Sequence, residues 1–357
     1  MVAPPLLFLF ACTPLAGRYP DRADYPIRTA DELTDATPGP DQLRVLTYNI
    51  KFGGARIDFF FDGWGDRVHM TQAEVLGNME DIEALIEDLQ PDLLLTQEVD
   101  VDSKRSAYVD QVDHILNHTD MNYAAWVPVW ESAYIAEEGL GPMQMGQAVF
   151  SRYPITANER IALEPVGDQD PLTRYFYLDR CIQRVTVDLG AATIEVLNNH
   201  PDAYSTDGTK ERQIQDIVAE AAAIEGTLIV GGDFNSVPPG TLNLTDFDDN
   251  APVSGPGYDV VTYEEEGDLL MEDFYAAYQP AMPLEDFQVA DQTPFFTHSI
   301  YVEVFWNRKL DYLFSTEPWL AYQTVQAPGD GTSQDPMLLS DHAPFFGVLD
   351  LSAEAAR

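Results

Sequence analysis

The chain is poor in cysteine, lysine and long apolar runs, and each shortage excludes something. Two cysteines, Cys12 and Cys181, cannot build a disulfide scaffold or a cysteine-based zinc site. Lysine stands only at Lys51, Lys104, Lys210 and Lys309, and 19 basic residues face 60 acidic ones, a formal charge of −41. Such an excess opposes tight electrostatic binding to nucleic-acid phosphates unless a local patch or a metal reverses the sign. No stretch reaches the ~18 apolar residues a membrane-spanning helix requires.

What is present points to a folded protein. With 357 residues and 45% of them hydrophobic, there is ample material for a core, and the length allows one large domain or two ordinary ones. Low lysine with excess carboxylate suits a protein working in high salt, where the Debye length falls to ~3 Å at 1 M and self-repulsion fades. An acidic secreted protein would read the same way.

Residues 1–12, MVAPPLLFLFAC, place a short apolar run before Leu9-Phe10-Ala11-Cys12. This resembles a bacterial lipobox, in which the cysteine is lipidated, although the positive segment of a signal peptide is missing. The expectation is an extracytoplasmic protein, membrane-anchored through Cys12 or secreted, with Cys181 left as a buried thiol. Residues 13–42, with Pro14, Pro20, Pro26, Pro38 and Pro40 among polar side chains, have the composition of a linker.

From residue 43 to 351 one domain is expected. Residues 44–50, 93–95, 148–150, 182–187, 194–197, 228–230, 310–314 and 345–349 read as strands. Residues 71–89 and 210–224 carry apolar side chains at helical spacing, among them Val75, Met79, Ile82, Ile86 and Ile214, Ile217, Ala221. Strands and helices mixed in this way, with no dividing linker, predict an α/β protein with one continuous core. The glycine- and acid-rich segment 238–273 reads as a surface excursion.

One pattern recurs along this domain: an apolar strand runs into a polar residue able to bind a metal or move a proton. The instances are Leu46-Thr47-Tyr48-Asn49, Leu95-Thr96-Gln97-Glu98, Leu197-Asn198-Asn199-His200, Gly231-Gly232-Asp233-Phe234-Asn235, Lys309-Leu310-Asp311 and Leu339-Ser340-Asp341-His342. Singly, each is most often a strand cap or turn. Together they predict a site at one edge of a sheet. Carboxylates gathered there repel one another unless a hard cation sits among them.

These six segments, in this order, resemble the signature of the endonuclease/exonuclease/phosphatase superfamily, which includes DNase I-like nucleases, neutral sphingomyelinases, inositol polyphosphate 5-phosphatases and abasic-site endonucleases. The resemblance implies a four-layer α/β/β/α sandwich of two mixed sheets flanked by helices, and metal-dependent hydrolysis of phosphate esters. It implies that Glu98, with Asn49 and Asp341, holds Mg²⁺ (Mn²⁺ or Ca²⁺ being alternatives) and that His342 is the general base, oriented by Asp311. It implies that Asp233 and Asn235 position water and phosphate, and that His200 hydrogen-bonds a phosphoryl oxygen or protonates the leaving group. Those chemistries suit the residue types: Mg²⁺ takes oxygen ligands and keeps waters, and histidine titrates near neutrality. Lys51 stands where abasic-site endonucleases carry aspartate, which turns the reading toward the DNase, sphingomyelinase and phosphatase side. Arg180 and Arg174 are candidate phosphate clamps.

The remaining histidines, His69, His114, His118 and His298, lack a surrounding motif and are expected on the surface or in structural roles. The run Asp246-Phe247-Asp248-Asp249-Asn250 fails as a calcium loop at Ala251. Aromatic segments 59–64 and 126–130 read as packing or as a substrate-facing loop. A phosphate ester, whether nucleic acid, phospholipid or small diester, is the expected substrate, and a monomer the expected state. The competing reading is a catalytically silent, surface-anchored binding module of the same fold.

Overall fold

A computed structural model describes residues 15–60, 65–167, 169–248, 262–264 and 270–352. The lipobox segment with Cys12, residues 61–64 and the second half of the rejected calcium loop lie outside these. In chain order the strands are β1 (Arg22–Asp24), β2 (Ile27–Thr29), β3 (Gln42–Asn49), β4 (Leu93–Asp100), β5 (Tyr123–Ile135), β6 (Gly141–Ser151), β7 (Ile155–Ala162), β8 (Cys181–Asp188), β9 (Thr193–Asn199), β10 (Thr227–Asp233), β11 (Gln279–Pro280), β12 (Asp311–Ser315), β13 (Trp319–Thr324) and β14 (Phe345–Asp350). The helices that matter for the site are α1 (Gln72–Leu89), α2 (Gln111–His118), α3 (Pro171–Phe176) and α4 (Thr209–Ala222).

Two seven-stranded mixed sheets result, in the orders β13-β14-β3-β4-β6-β5-β2 and β1-β7-β8-β9-β10-β12-β11. Each has a parallel pair at its centre, β3 with β4 and β9 with β10, and antiparallel neighbours around it. Alternation along the strands dictates the layers. Leu43, Val45, Leu93, Leu95 and Val149 from the first sheet meet Val185, Val187, Val196, Ile229 and Leu313 from the second in a core between the sheets. Leu46, Tyr48 and Leu94 point the other way and pack under α1 and α2 through Val75, Met79, Ile82, Val112 and Ile115. Leu197, Leu228 and Val230 do the same beneath α4 through Ile214, Ile217 and Ala221. The four layers expected from the family resemblance are those observed.

α1 begins where the sequence marks it. The Thr71 side chain accepts from Glu74 N, and Glu74 returns a bond to Thr71 N, a capping box worth about 1 kcal/mol. Within residues 15–42, expected to be a linker, two short strands form. β1 pairs with β7 and β2 with β5, each at the outer edge of a sheet. Pro20 and Pro26 stand just ahead of these two short strands, where no ladder N–H is needed. Two of the six motif segments also differ in detail: Asp311 opens β12 rather than closing a strand, and residues 336–339 form a short helix ahead of β14.

Candidate active site

Topology explains why residues far apart in sequence converge. Asn49 and Asp233 close β3 and β10, Asn199 closes β9 one residue before His200, and Glu98 lies two residues before the end of β4. Their partners β12 and β14 run antiparallel to β10 and β3, so it is the beginnings of those strands that reach the same edge. Asp311 is the register partner of Asp233, and Phe345, three residues after His342, that of Thr47.

The centre is Asp233 Oδ2. Asn49 Nδ2 donates to it at 3.1 Å from the opposite sheet. His200 Nε2 and His342 Nε2 each lie 3.4 Å away. The other oxygen, Oδ1, accepts from Asn235 N at 2.9 Å, and Asn235 Nδ2 donates to Pro201 O at 3.1 Å. Behind His342, Nδ1 faces Asp311 Oδ2 at 2.9 Å, which sets Nδ1–H as donor and turns Nε2 toward the site. Asn49 Nδ2 also reaches Glu98 Oε1 at 3.3 Å. Asp341 Oδ2 lies 3.7 Å from Lys51 Nζ. Ser340 Oγ donates to Asn49 O at 2.7 Å and accepts from His342 N at 3.2 Å, tying the two ends of the chain together at the site.

The backbone here is unusual in the right places. Glu98, Asn235, Lys51 and Phe52 have φ of 56°, 51°, 45° and 45°, a region that costs a non-glycine residue about 1–3 kcal/mol and that gathers at functional sites. At Glu98 it accompanies a break in the β4–β6 register between Thr96 and Val99, which re-aims the carboxylate. A buried polar network holds that bulge. Gln97 Nε2 donates to Asn198 Oδ1 at 2.7 Å, and Asn198 Nδ2 donates to Thr96 O, Ala148 O and Gln183 Oε1.

Electrostatics mark the cluster as short of positive charge. Burial, then the neighbouring Asp341, raises the Glu98 carboxyl above its usual range. Burial and Asp311 raise Asp233 against the pull of His342. Burial alone would lower His342, but Asp311 and Asp233 outweigh it and push it up to about 10. His200 is held well below its usual value by burial, Arg180 and His342, so it is a neutral donor rather than an acid. Asp341 is pushed up by burial but left below its usual value by Lys51, His342 and Arg56.

All eight residues singled out from the sequence reach this edge, with one difference in orientation. The Asn49 amide oxygen, the atom a metal would take, accepts from Lys51 N at 3.0 Å, and its NH₂ bridges two carboxylates. Of the two arginines, Arg180 belongs here: it is buried, its charge acts on both Glu98 and His200, and its Nε and Nη1 have no hydrogen-bond partner among the described residues. Arg174 sits on α3 and donates to Val166 O.

His298 corrects the sequence reading. Its backbone bridges to His342, and the two rings lie 4.5 Å apart. Thr297 beside it accepts from Leu310 N and Asp311 N. The segment reaches the site through long-range pairing, which local spacing does not reveal. His114 and His118 likewise share the buried Glu83. The aromatic segments turn to packing where described: Phe59 stacks edge-on with Phe52, and Trp126 and Trp130 donate to Val99 O and Phe176 O.

Comparison with known proteins agrees with this fold. A search of curated proteins found no match. Among solved structures, one described as endonuclease/exonuclease/phosphatase from Beutenbergia cavernae superposes with a TM-score of 0.56 at 18% identity, covering 87% of this chain and 72% of that one. An endonuclease/exonuclease/phosphatase family protein from Leptotrichia buccalis gives 0.53 at 16% identity, covering 86% and 99%. The human Nocturnin catalytic domain with bound sulfate anion gives 0.51 at 18% identity, covering 87% and 95%. These likenesses establish the fold. The family model for the Endonuclease/Exonuclease/phosphatase family matches residues 46–342, a span that contains every residue of the cluster, and the chain belongs to that family.

Proposed function

We propose that the protein hydrolyses phosphate esters, as a phosphodiesterase or nuclease, with a divalent cation held at the strand-end cluster. The observation that carries this reading is the convergence of Asn49, His200 and His342 on Asp233 Oδ2, with Asp311 behind His342. That is a base, its orienting carboxylate and donors for a phosphoryl oxygen within one small volume.

The donor set fits the metal. Glu98 and Asp341, with Asn49 once its amide turns, offer oxygen ligands, and a cation would offset the burial and the neighbouring Asp341 that raise the Glu98 carboxyl. When bound, Mg²⁺ would offset charge on the phosphoryl oxygens. His342 Nε2 takes the proton of the attacking water while its Nδ1–H stays on Asp311. Asp233, held by Asn49 and Asn235, orients that water. The neutral His200 donates to a phosphoryl oxygen. Arg180, with two nitrogens that have no partner among the described residues, supplies the charge that meets the phosphate. His342 can act as a base near neutrality only with the surrounding carboxylates partly neutralised, so base and metal are linked functions of one cluster. The −41 charge favours a small or lipidic ester over long DNA at low salt. A lipidated Cys12 would place the reaction at an extracytoplasmic membrane surface.

The test is hydrolysis of bis-p-nitrophenyl phosphate by the full chain with Mg²⁺ or Mn²⁺. EDTA should stop turnover and added metal restore it. His342→Ala should lower kcat by ~10²–10⁴-fold with an unchanged circular dichroism spectrum. A substrate panel of plasmid DNA, sphingomyelin, phosphoinositides and nucleotides at low and high salt would then place the substrate. No hydrolysis of any member with any of these metals would leave the silent binding module as the better reading.

A further inference from the structure

Away from the sheet edge, the helical layer over the first sheet carries a second group of metal-ligating side chains. Glu83 lies midway along α1, faces α2, and is buried, with 6% of its surface exposed. Its polar partners among the described residues are both imidazoles of α2. His114 Nδ1 bonds its Oε1, and His118 Nδ1 lies 3.8 Å from the same oxygen. Four-residue spacing sets His114 and His118 on one helix face, and their ring centroids are 4.3 Å apart. One donor atom from each of the three side chains lies within 4.8 Å of the other two.

Three features exceed what a structural ion pair requires. One imidazole would satisfy the carboxylate, yet two are present. His118 Nδ1 also faces His114 O at 2.8 Å, a contact that orients its ring beside Glu83. Its side chain is 56% exposed, so an ion has a route in. The helices do not need the polar contact to dock, because Met79, Ile82, Val112 and Ile115 already pack them onto the sheet.

We propose that Glu83, His114 and His118 form a binding site for a transition-metal ion of the zinc class, linking α1 to α2, with water completing the coordination on the solvent side. Two imidazoles and one carboxylate select Zn²⁺-like ions over Mg²⁺, which prefers all-oxygen surroundings such as those at the sheet edge. The site would brace the frame behind the catalytic edge. α2 begins at Gln111, whose Nε2 donates to Phe52 O beyond β3 and whose Oε1 accepts from Asp100 N at the end of β4. This assignment stands independently of the hydrolase reading.

The experiment is equilibrium dialysis of the full chain and of His118→Gln against Zn²⁺ in saturating Mg²⁺, with thermal melts alongside. Any zinc at the catalytic cluster is common to both proteins, so the difference isolates this site. The wild type should bind one more equivalent than His118→Gln, or bind it more tightly by more than the ~10–100-fold that loss of an outer partner costs. Zn²⁺ should raise the wild-type melting temperature further than that of the variant. His114→Gln should reproduce the loss, and Mg²⁺-supported ester hydrolysis should be equal in wild type and His118→Gln without zinc. Equal zinc stoichiometry, affinity and thermal shift in wild type and His118→Gln would overturn the proposal.

Discussion

Asp233 Oδ2 is shared by an amide and two imidazoles, and the behaviour of the site follows from how that one oxygen is divided. In metal-free protein His342 keeps its proton up to about 10 because Asp311 and Asp233 outweigh its burial. A histidine whose folded-state pKa is raised contributes its full stabilisation below its unfolded value of ~6.5. That stabilisation is lost as pH rises through the folded value. Metal-free wild type should therefore lose stability between pH 7 and 10 in denaturant titrations, and His342→Gln should lose less across the same window. At the same scale, Arg180→Met should raise KM for a diester by ~10–100-fold, the worth of a charge-assisted hydrogen bond. The circular dichroism spectrum should not change, since Nε and Nη1 of Arg180 have no hydrogen-bond partner among the described residues.

Among the elements, the end of β10 is tightly constrained. Gly232 has φ of 132°, and a Cβ there would come within 2.0 Å of Asn199 O. Neither the conformation nor the space admits a side chain, because β9 and β10 are paired at this register. Gly232→Ala should cost more than about 3 kcal/mol, the combined result of strain and a backbone clash, and should weaken activity with it, since Asp233 follows directly. Denaturant midpoints of the two proteins check this. The Glu98 bulge differs in kind: its positive φ is held by the Gln97–Asn198 network between the sheets, so its cost is met by packing far from residue 98 in sequence.

For the whole molecule, charge is the governing quantity. At −41 the folded chain repels itself, and screening shortens the reach of that repulsion from ~10 Å at 0.1 M salt to ~3 Å at 1 M. The melting temperature should rise between 0.1 and 1 M NaCl, with chloride and sulfate salts of equal ionic strength compared to separate screening from surface exclusion. A fall or no change would show that the acidic surface is not under strain at low salt.

Much of this was legible along the chain because it depends on neighbours. Alternating and helical apolar spacing marked β3, β4, α1 and α4, and strand ends rich in polar residues marked Asn49, Glu98, Asp233 and His342. β1 and β2 were hidden because each is only three residues long and lies in a polar stretch with Pro20 and Pro26 just ahead of them. His298 and the Glu83–His114–His118 group carry no local signature, because each is defined by what faces it across a gap in sequence. Residue types and spacing thus determined which side chains were chemically competent and which segments could form layers. Only tertiary pairing decided that strand ends and strand beginnings share one edge, since antiparallel neighbours reverse direction and no local pattern records which strand a given one will meet.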